Sequence, residues 1–103
     1  MIATTPKPPY YAVIFTNTLS ENTAGYEEMA NRMVELAEQQ PGFLGMESVR
    51  DGVGITVSYW QSLDAIKSWK QHVEHLNVQQ LGRDKWYNAF TTRIAKVERE
   101  YSL

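Results

Sequence analysis

The stretch Tyr10–Leu19 limits the fold more than any other feature of this chain. It is dense in β-branched and aromatic residues, the mark of a strand. It is also apolar on both sides: Tyr11, Val13 and Phe15 alternate with Ala12 and Ile14. A strand of that kind needs a covering layer on each face of its sheet. The 103 residues suffice for one core and are too few for two, so a single domain must supply or recruit both layers.

The following residues supply one layer. Asn22 or Thr23 can cap a helix whose first turn holds Glu27 and Glu28, where acidic side chains suit the dipole. Tyr26, Met29, Ala30, Met33 and Ala37 recur at the spacing of one helical face, and Pro41-Gly42 ends the run. Phe43–Arg50 and Val53–Trp60 form a strand pair around Asp51-Gly52, a strong hairpin signal. In the second of these strands Val53, Ile55, Val57 and Tyr59 alternate with Gly54, Thr56, Ser58 and Trp60. Ser62 caps a helix carrying Ile66, Trp69, Val73 and Leu76 on one face, and a further helical stretch is expected to about Lys85, interrupted near Gly82. The final strand spans Tyr87 to Tyr101. Its phase slips between Ile94 and Val97, which a β-bulge near Ala95-Lys96 would explain. Residues 1–9, rich in proline, read as a flexible tail, and 10–103 as the domain.

The expected class is therefore α+β: a ferredoxin-like β-α-β-β-α-β protomer with an antiparallel sheet and helices on one face. The other face is apolar and the chain holds nothing further to cover it. A second copy is the economical cover, giving a homodimer.

Composition removes several functions. With no cysteine there is no disulfide, thiolate metal site or cysteine nucleophile. A net charge of −2 with scattered Lys and Arg argues against nucleic acid or an anionic membrane as partner. No apolar run approaches the length that spans a bilayer, and Met1–Pro9 lacks the apolar core of a signal peptide, so the expected location is cytoplasmic.

Gln40-Pro41-Gly42-Phe43-Leu44-Gly45, followed by Thr56-Val57-Ser58-Tyr59-Trp60-Gln61-Ser62, resembles the core motifs of the antibiotic-biosynthesis-monooxygenase family. Trp69-Lys70-Gln71-His72-Val73-Glu74-His75 and Gly82-Arg83-Asp84-Lys85-Trp86-Tyr87 resemble one bacterial subgroup of it. The resemblance implies a dimeric α+β barrel and a pocket between sheet and helices in each protomer. It also implies catalysis without flavin, metal or nicotinamide, in which an electron-rich aromatic anion reacts with oxygen directly. The same family holds haem-degrading enzymes and members of unknown activity.

Asn17 lies in phase with Val13 and Phe15 on an apolar face, where an unbonded amide costs about 1–3 kcal/mol. It matches a first-strand asparagine that family enzymes use catalytically; the plain alternative is local backbone bonding near a strand end. Trp69 matches a pocket tryptophan and is equally a core residue. His72 follows it by one helical turn and is either a general base or a helix-surface histidine, the latter being the reading for His75. These two histidines have no further ligand in a recognised metal pattern. Phe15 and Tyr59 are candidate aromatic walls, although Tyr59 and Trp60 point to opposite faces and only one can meet the helices. Arg83 can pair with an anionic substrate group or tie down the helix end, and Trp86 belongs to the same cluster. The haem-degrading branch carries its iron-binding histidine ten residues after the tryptophan; Gln79 stands there, a poor iron ligand. These residues point first to a monooxygenase of a small phenol- or quinol-type substrate. A non-catalytic dimer binding a small aromatic or apolar molecule, or serving in stress, is the alternative, with haem binding behind both.

Overall fold

The computed structural model describes residues 2–76 and 85–103. Its elements follow the expected order: β1 (Tyr10–Leu19), α1 (Tyr26–Glu38), β2 (Phe43–Asp51), β3 (Val53–Trp60), α2 (Leu63–His75) and β4 (Tyr87–Val97). The sheet order is β2-β3-β1-β4 with every neighbouring pair antiparallel, which is the ferredoxin-like arrangement. β1 is an interior strand, as its two-sided apolar pattern requires.

Directly opposed residues share a face, so the register sorts the sheet. On one side Val13, Phe15 and Asn17 oppose Ser58, Thr56 and Gly54 of β3 and Ile94, Thr92 and Phe90 of β4. Met46, Ser48 and Arg50 of β2 extend the same row of β3 partners. The helices cover this inner side: Trp69 of α2 stacks on Trp60, and Ala37, Ile66 and Val73 are buried. The outer side carries Ala12, Ile14, Tyr59 and Val57, with Val49, Val53 and Ile55 exposed at 66%, 47% and 39%.

Three local expectations are corrected. The cap of α1 is Gly25 (φ 81°) with no side-chain cap bond, rather than Asn22 or Thr23. Those residues belong to a preceding turn, in which Thr23 O accepts from the Tyr26 N–H and the Asn22 N–H donates to Ser20 Oγ. The bulge lies at Asn88 instead of Ala95-Lys96. Pairing with β1 is continuous from Tyr10↔Val97 to Thr18↔Ala89, then jumps to Leu19↔Tyr87. Val97 needs no slip, because β4 carries apolar residues among polar ones on both sides and Val97 belongs to the outer one, opposite Tyr10. The strand also ends at Val97 and not at Tyr101. The Ser62 cap is as expected, accepting from the Ala65 N–H at 3.1 Å. The proline-rich lead-in forms no strand but touches the outer side, where the Ala3 N–H donates to Glu47 Oε2 (2.9 Å) and Thr5 Oγ1 donates to the Tyr10 hydroxyl (3.0 Å). The further helical stretch before Lys85 lies outside the described residues.

Candidate functional site

Between the inner side of the sheet and the two helices lies a cavity of about 830 Å³. The sequence makes it by what it omits. Gly54, Thr56, Ser58 and Ser48 occupy inner positions of β3 and β2 where bulky residues would otherwise meet the helices. Met29 and Met33 of α1, Trp69 and Ile66 of α2, and Phe15 of β1 complete walls that are aromatic or aliphatic. Such a volume, lined by apolar groups with a few convergent polar ones, suits a planar organic ligand.

The polar groups gather at one end. Arg50, at the end of β2, is open to solvent yet reaches across β3 to β1, where Nη2 donates to Asn17 Oδ1 at 2.5 Å. Register explains the reach, since Arg50 and Asn17 both pair with Gly54. Neighbouring strands are about 4.8 Å apart, so the side chain must lie flat over the strand between. A Cβ on Gly54 would fall inside the guanidinium, which only glycine avoids. Arg50 Nη2 also donates to the Tyr26 hydroxyl (3.2 Å), and the guanidinium sits 5.8 Å from that ring's centroid. Tyr87 donates to the same Tyr26 oxygen at 3.4 Å. Burial, and then this hydrogen bond, push the Tyr87 hydroxyl well above its ordinary range, against an opposing pull from Arg50, so it stays a neutral donor.

Asn17, only 3% exposed, is thus neither bonded to local backbone nor a lining residue; it anchors Arg50. Trp69 lines the cavity as expected. His72 stacks on Trp69 (5.8 Å between centroids) but does not line the cavity, and its buried Nε2 has no hydrogen-bond partner among the described residues. Phe15 is in the wall, edge-on to Tyr87 at 5.4 Å. Trp86 is also in the wall, pinned by Nε1–H donation to Ala24 O (3.0 Å) and edge-on to Tyr26. Tyr59 is a correction: it points to the outer side and Trp60 faces the helices. Its hydroxyl donates to Glu47 Oε1 (2.6 Å). Burial and that carboxylate push it up to about 12, while the bonds from Tyr59 and Ala3 hold Glu47 below its usual range. Arg83, Gln79 and the side chain of His75 lie outside the described residues. Among the described residues no three His, Asp or Glu side chains cluster as a metal site, and no helix is long and apolar enough to cross a membrane.

Sequence reasoning missed Arg50, Tyr26 and Gly54 as site residues. The available signal was an arginine on the same alternation as Met46 and Ser48, paired across the hairpin with a glycine.

Comparison with known proteins bears on this geometry. Residues 9–81 match the family described as Antibiotic biosynthesis monooxygenase. The chain is 57% identical over 101 residues to YqjZ of Bacillus subtilis, an uncharacterized protein, covering 96% of this chain and 89% of that one. Among solved structures it is similar to SnoaB, a cofactor-independent oxygenase from Streptomyces nogalater, at a TM-score of 0.70, 16% identity, and 93% and 98% coverage of the two chains. It is also similar to Rv0793 from Mycobacterium tuberculosis, at a TM-score of 0.77, 12% identity, and 90% and 99% coverage. At these identities the two structures support the fold alone.

Proposed function

Because this chain belongs to the antibiotic biosynthesis monooxygenase family, we propose that it is a cofactor-independent monooxygenase of small phenol- or quinol-type aromatics. The observation that carries the reading is the apolar cavity of about 830 Å³ with its polar groups at one end. A planar ring fits between Trp69 and Phe15, and a ring oxygen falls to the Arg50–Tyr26 corner. A guanidinium favours the phenolate over the phenol. Ionisation raises electron density at the ring carbons ortho and para to the oxygen, and dioxygen adds at one that carries hydrogen to form a peroxide. The peroxide takes a proton, its O–O bond breaks as the ring C–H proton leaves, and water departs. One phenol and one O₂ become one quinone and one water, the ring giving four electrons and O₂ taking them. The corner's contribution is electrostatic: donors already fixed where negative charge sits need no reorganisation during the reaction. A second copy over the outer sheet face completes the proposed assembly.

The test is oxygen uptake with a panel of hydroquinones and polyphenols. Wild type should consume oxygen with at least one of them, and Asn17→Ala and Trp69→Phe should each lower turnover about tenfold or more while the fold and dimer stay intact. Unaltered turnover in Asn17→Ala would remove that residue from the mechanism. The placement of His72 outside the lining favours a second reading, a ligand-binding dimer without turnover. Binding of the same compounds with no oxygen uptake would establish it. Haem binding stands third, because Gln79 is a poor iron ligand.

A further inference from the structure

The guanidinium of Arg50 is held by neutral groups only: Asn17, Tyr26 and, through Tyr26, Tyr87. Among the described residues the one ion pair is Arg32–Glu35 on the surface of α1, so Arg50 has no carboxylate partner there. A structural arginine is expected to find an anion; this one is clamped in place and left without one.

The donor inventory is equally uneven. A guanidinium carries five N–H donors, two of them on Nη2. Both Nη2 bonds are made within the protein, to Asn17 and to Tyr26, which leaves Nη1 and Nε without an acceptor among the described residues. A phenol oxygen accepts two hydrogen bonds and donates one. The Tyr26 oxygen accepts from Arg50 and from Tyr87, so its own proton is free to donate. Unused donors of a fixed cation and a hydroxyl proton therefore converge at one end of an otherwise apolar cavity that both residues line. Their positions are not left to chance: Gly54 forms the floor and Asn17 the far anchor.

We propose that Arg50 and Tyr26 form an oxyanion subsite, and that the ligand of this cavity is an aromatic carrying a negatively charged oxygen, a phenolate or a ring carboxylate. The proposal rests on the cavity being the ligand site, as above, and does not depend on oxygen chemistry. Asn17 is a positioning residue here, acting through Arg50. Planar oxyanions suit a guanidinium, whose donors lie in one plane and can be met in pairs.

The experiment uses probes inert to oxygen, so a failed oxygenase reading and a failed subsite are separately visible. Binding of 4-nitrobenzoate is compared with that of 4-nitrobenzamide by calorimetry at neutral pH. Bound 4-nitrophenol is titrated by its visible absorbance, which reports the phenolate directly. Wild type should prefer an anion over its neutral counterpart by about tenfold, the lower range for a charge-assisted bond at an open site. Arg50→Gln should abolish the preference, Arg50→Lys should keep part of it, and Asn17→Ala should weaken it while the charge is still present. A preference for the benzoate alone assigns the subsite to a ring acid. A lowered titration midpoint of nitrophenol alone assigns it to the ring hydroxyl; either supports the subsite. Should Arg50→Gln not fold, Asn17→Ala and Arg50→Lys decide. The proposal is overturned if neither anion outbinds its neutral partner by more than twofold, or if the preference survives unchanged in every folded variant.

Discussion

The two sides of β3 follow opposite rules. Facing the helices are Gly54, Thr56 and Ser58, small or polar, with only Trp60 filling its position; it is 0% exposed. Facing away are Val53, Ile55, Val57 and Tyr59, the more apolar set, and part of it stands open. Hydrophobic patterning alone would have turned the strand the other way. The inner side forgoes packing and leaves the cavity open, and the outer side holds aliphatic surface that one copy of the chain leaves wet. A strand whose apolar side lacks a cover in its own chain is a sign of an interface.

The strongest challenge to this comparison is a charge on the outer side. Ile55→Asp should dissociate the proposed dimer, since an unpaired carboxylate in an apolar interface costs several kcal/mol. Sedimentation velocity at micromolar concentration reads it directly, and a wild type already monomeric there would remove the second copy from the account. Next is the one inner residue that does pack: Trp60→Ala should lower stability by about 3–5 kcal/mol in denaturant unfolding. A loss below 1 kcal/mol would mean that Trp60 is not part of the core.

Ser58→Leu sharpens the contrast from the cavity side. It should keep the fold within about 1 kcal/mol while weakening binding of 4-nitrobenzoate about tenfold or more, because leucine fills space reserved for the ligand. Equal binding would show that the ligand does not use the middle of the cavity. The smallest effect concerns the polar pair on the outer side. Tyr59 has a folded value near 12 against an ordinary 10, so the native state holds its proton more tightly. That stability is complete below pH 10 and lost as pH rises through 12. Tyr59→Phe should flatten this part of the unfolding profile relative to wild type, by under about 1 kcal/mol given partial solvent screening. An unchanged slope would place the alkaline loss elsewhere, with Tyr87 the first residue to test.

Much of the fold was legible locally. Period-two alternation, the Asp51-Gly52 turn, Pro41-Gly42 and the Ser62 cap are each set by neighbours in sequence, and each recurs in the structure. The bulge was misplaced because a change of phase on one strand cannot be told from a strand that carries apolar residues on both sides. The site was half legible. Trp69, Phe15 and Trp86 line the cavity, Trp69 having been drawn there by the family resemblance and Trp86 only by its place beside Arg83, whereas Tyr59 does not, since alternation separates it from Trp60 without saying which of them is inward.

By itself the sequence determined the order of elements, the family motifs and the need for cover on both faces of the sheet. The order of elements and the need for cover follow from propensity and periodicity, which act over a few residues; the motifs carry the family by resemblance alone. Only the tertiary structure decided that the small side of β3 faces the helices and that Arg50 meets Asn17. That contact joins residues 33 positions apart and needs two strand registers to agree on Gly54. Register is the joint product of all the strands packing at once, so a charged residue that reads as surface in the sequence becomes the polar end of a cavity.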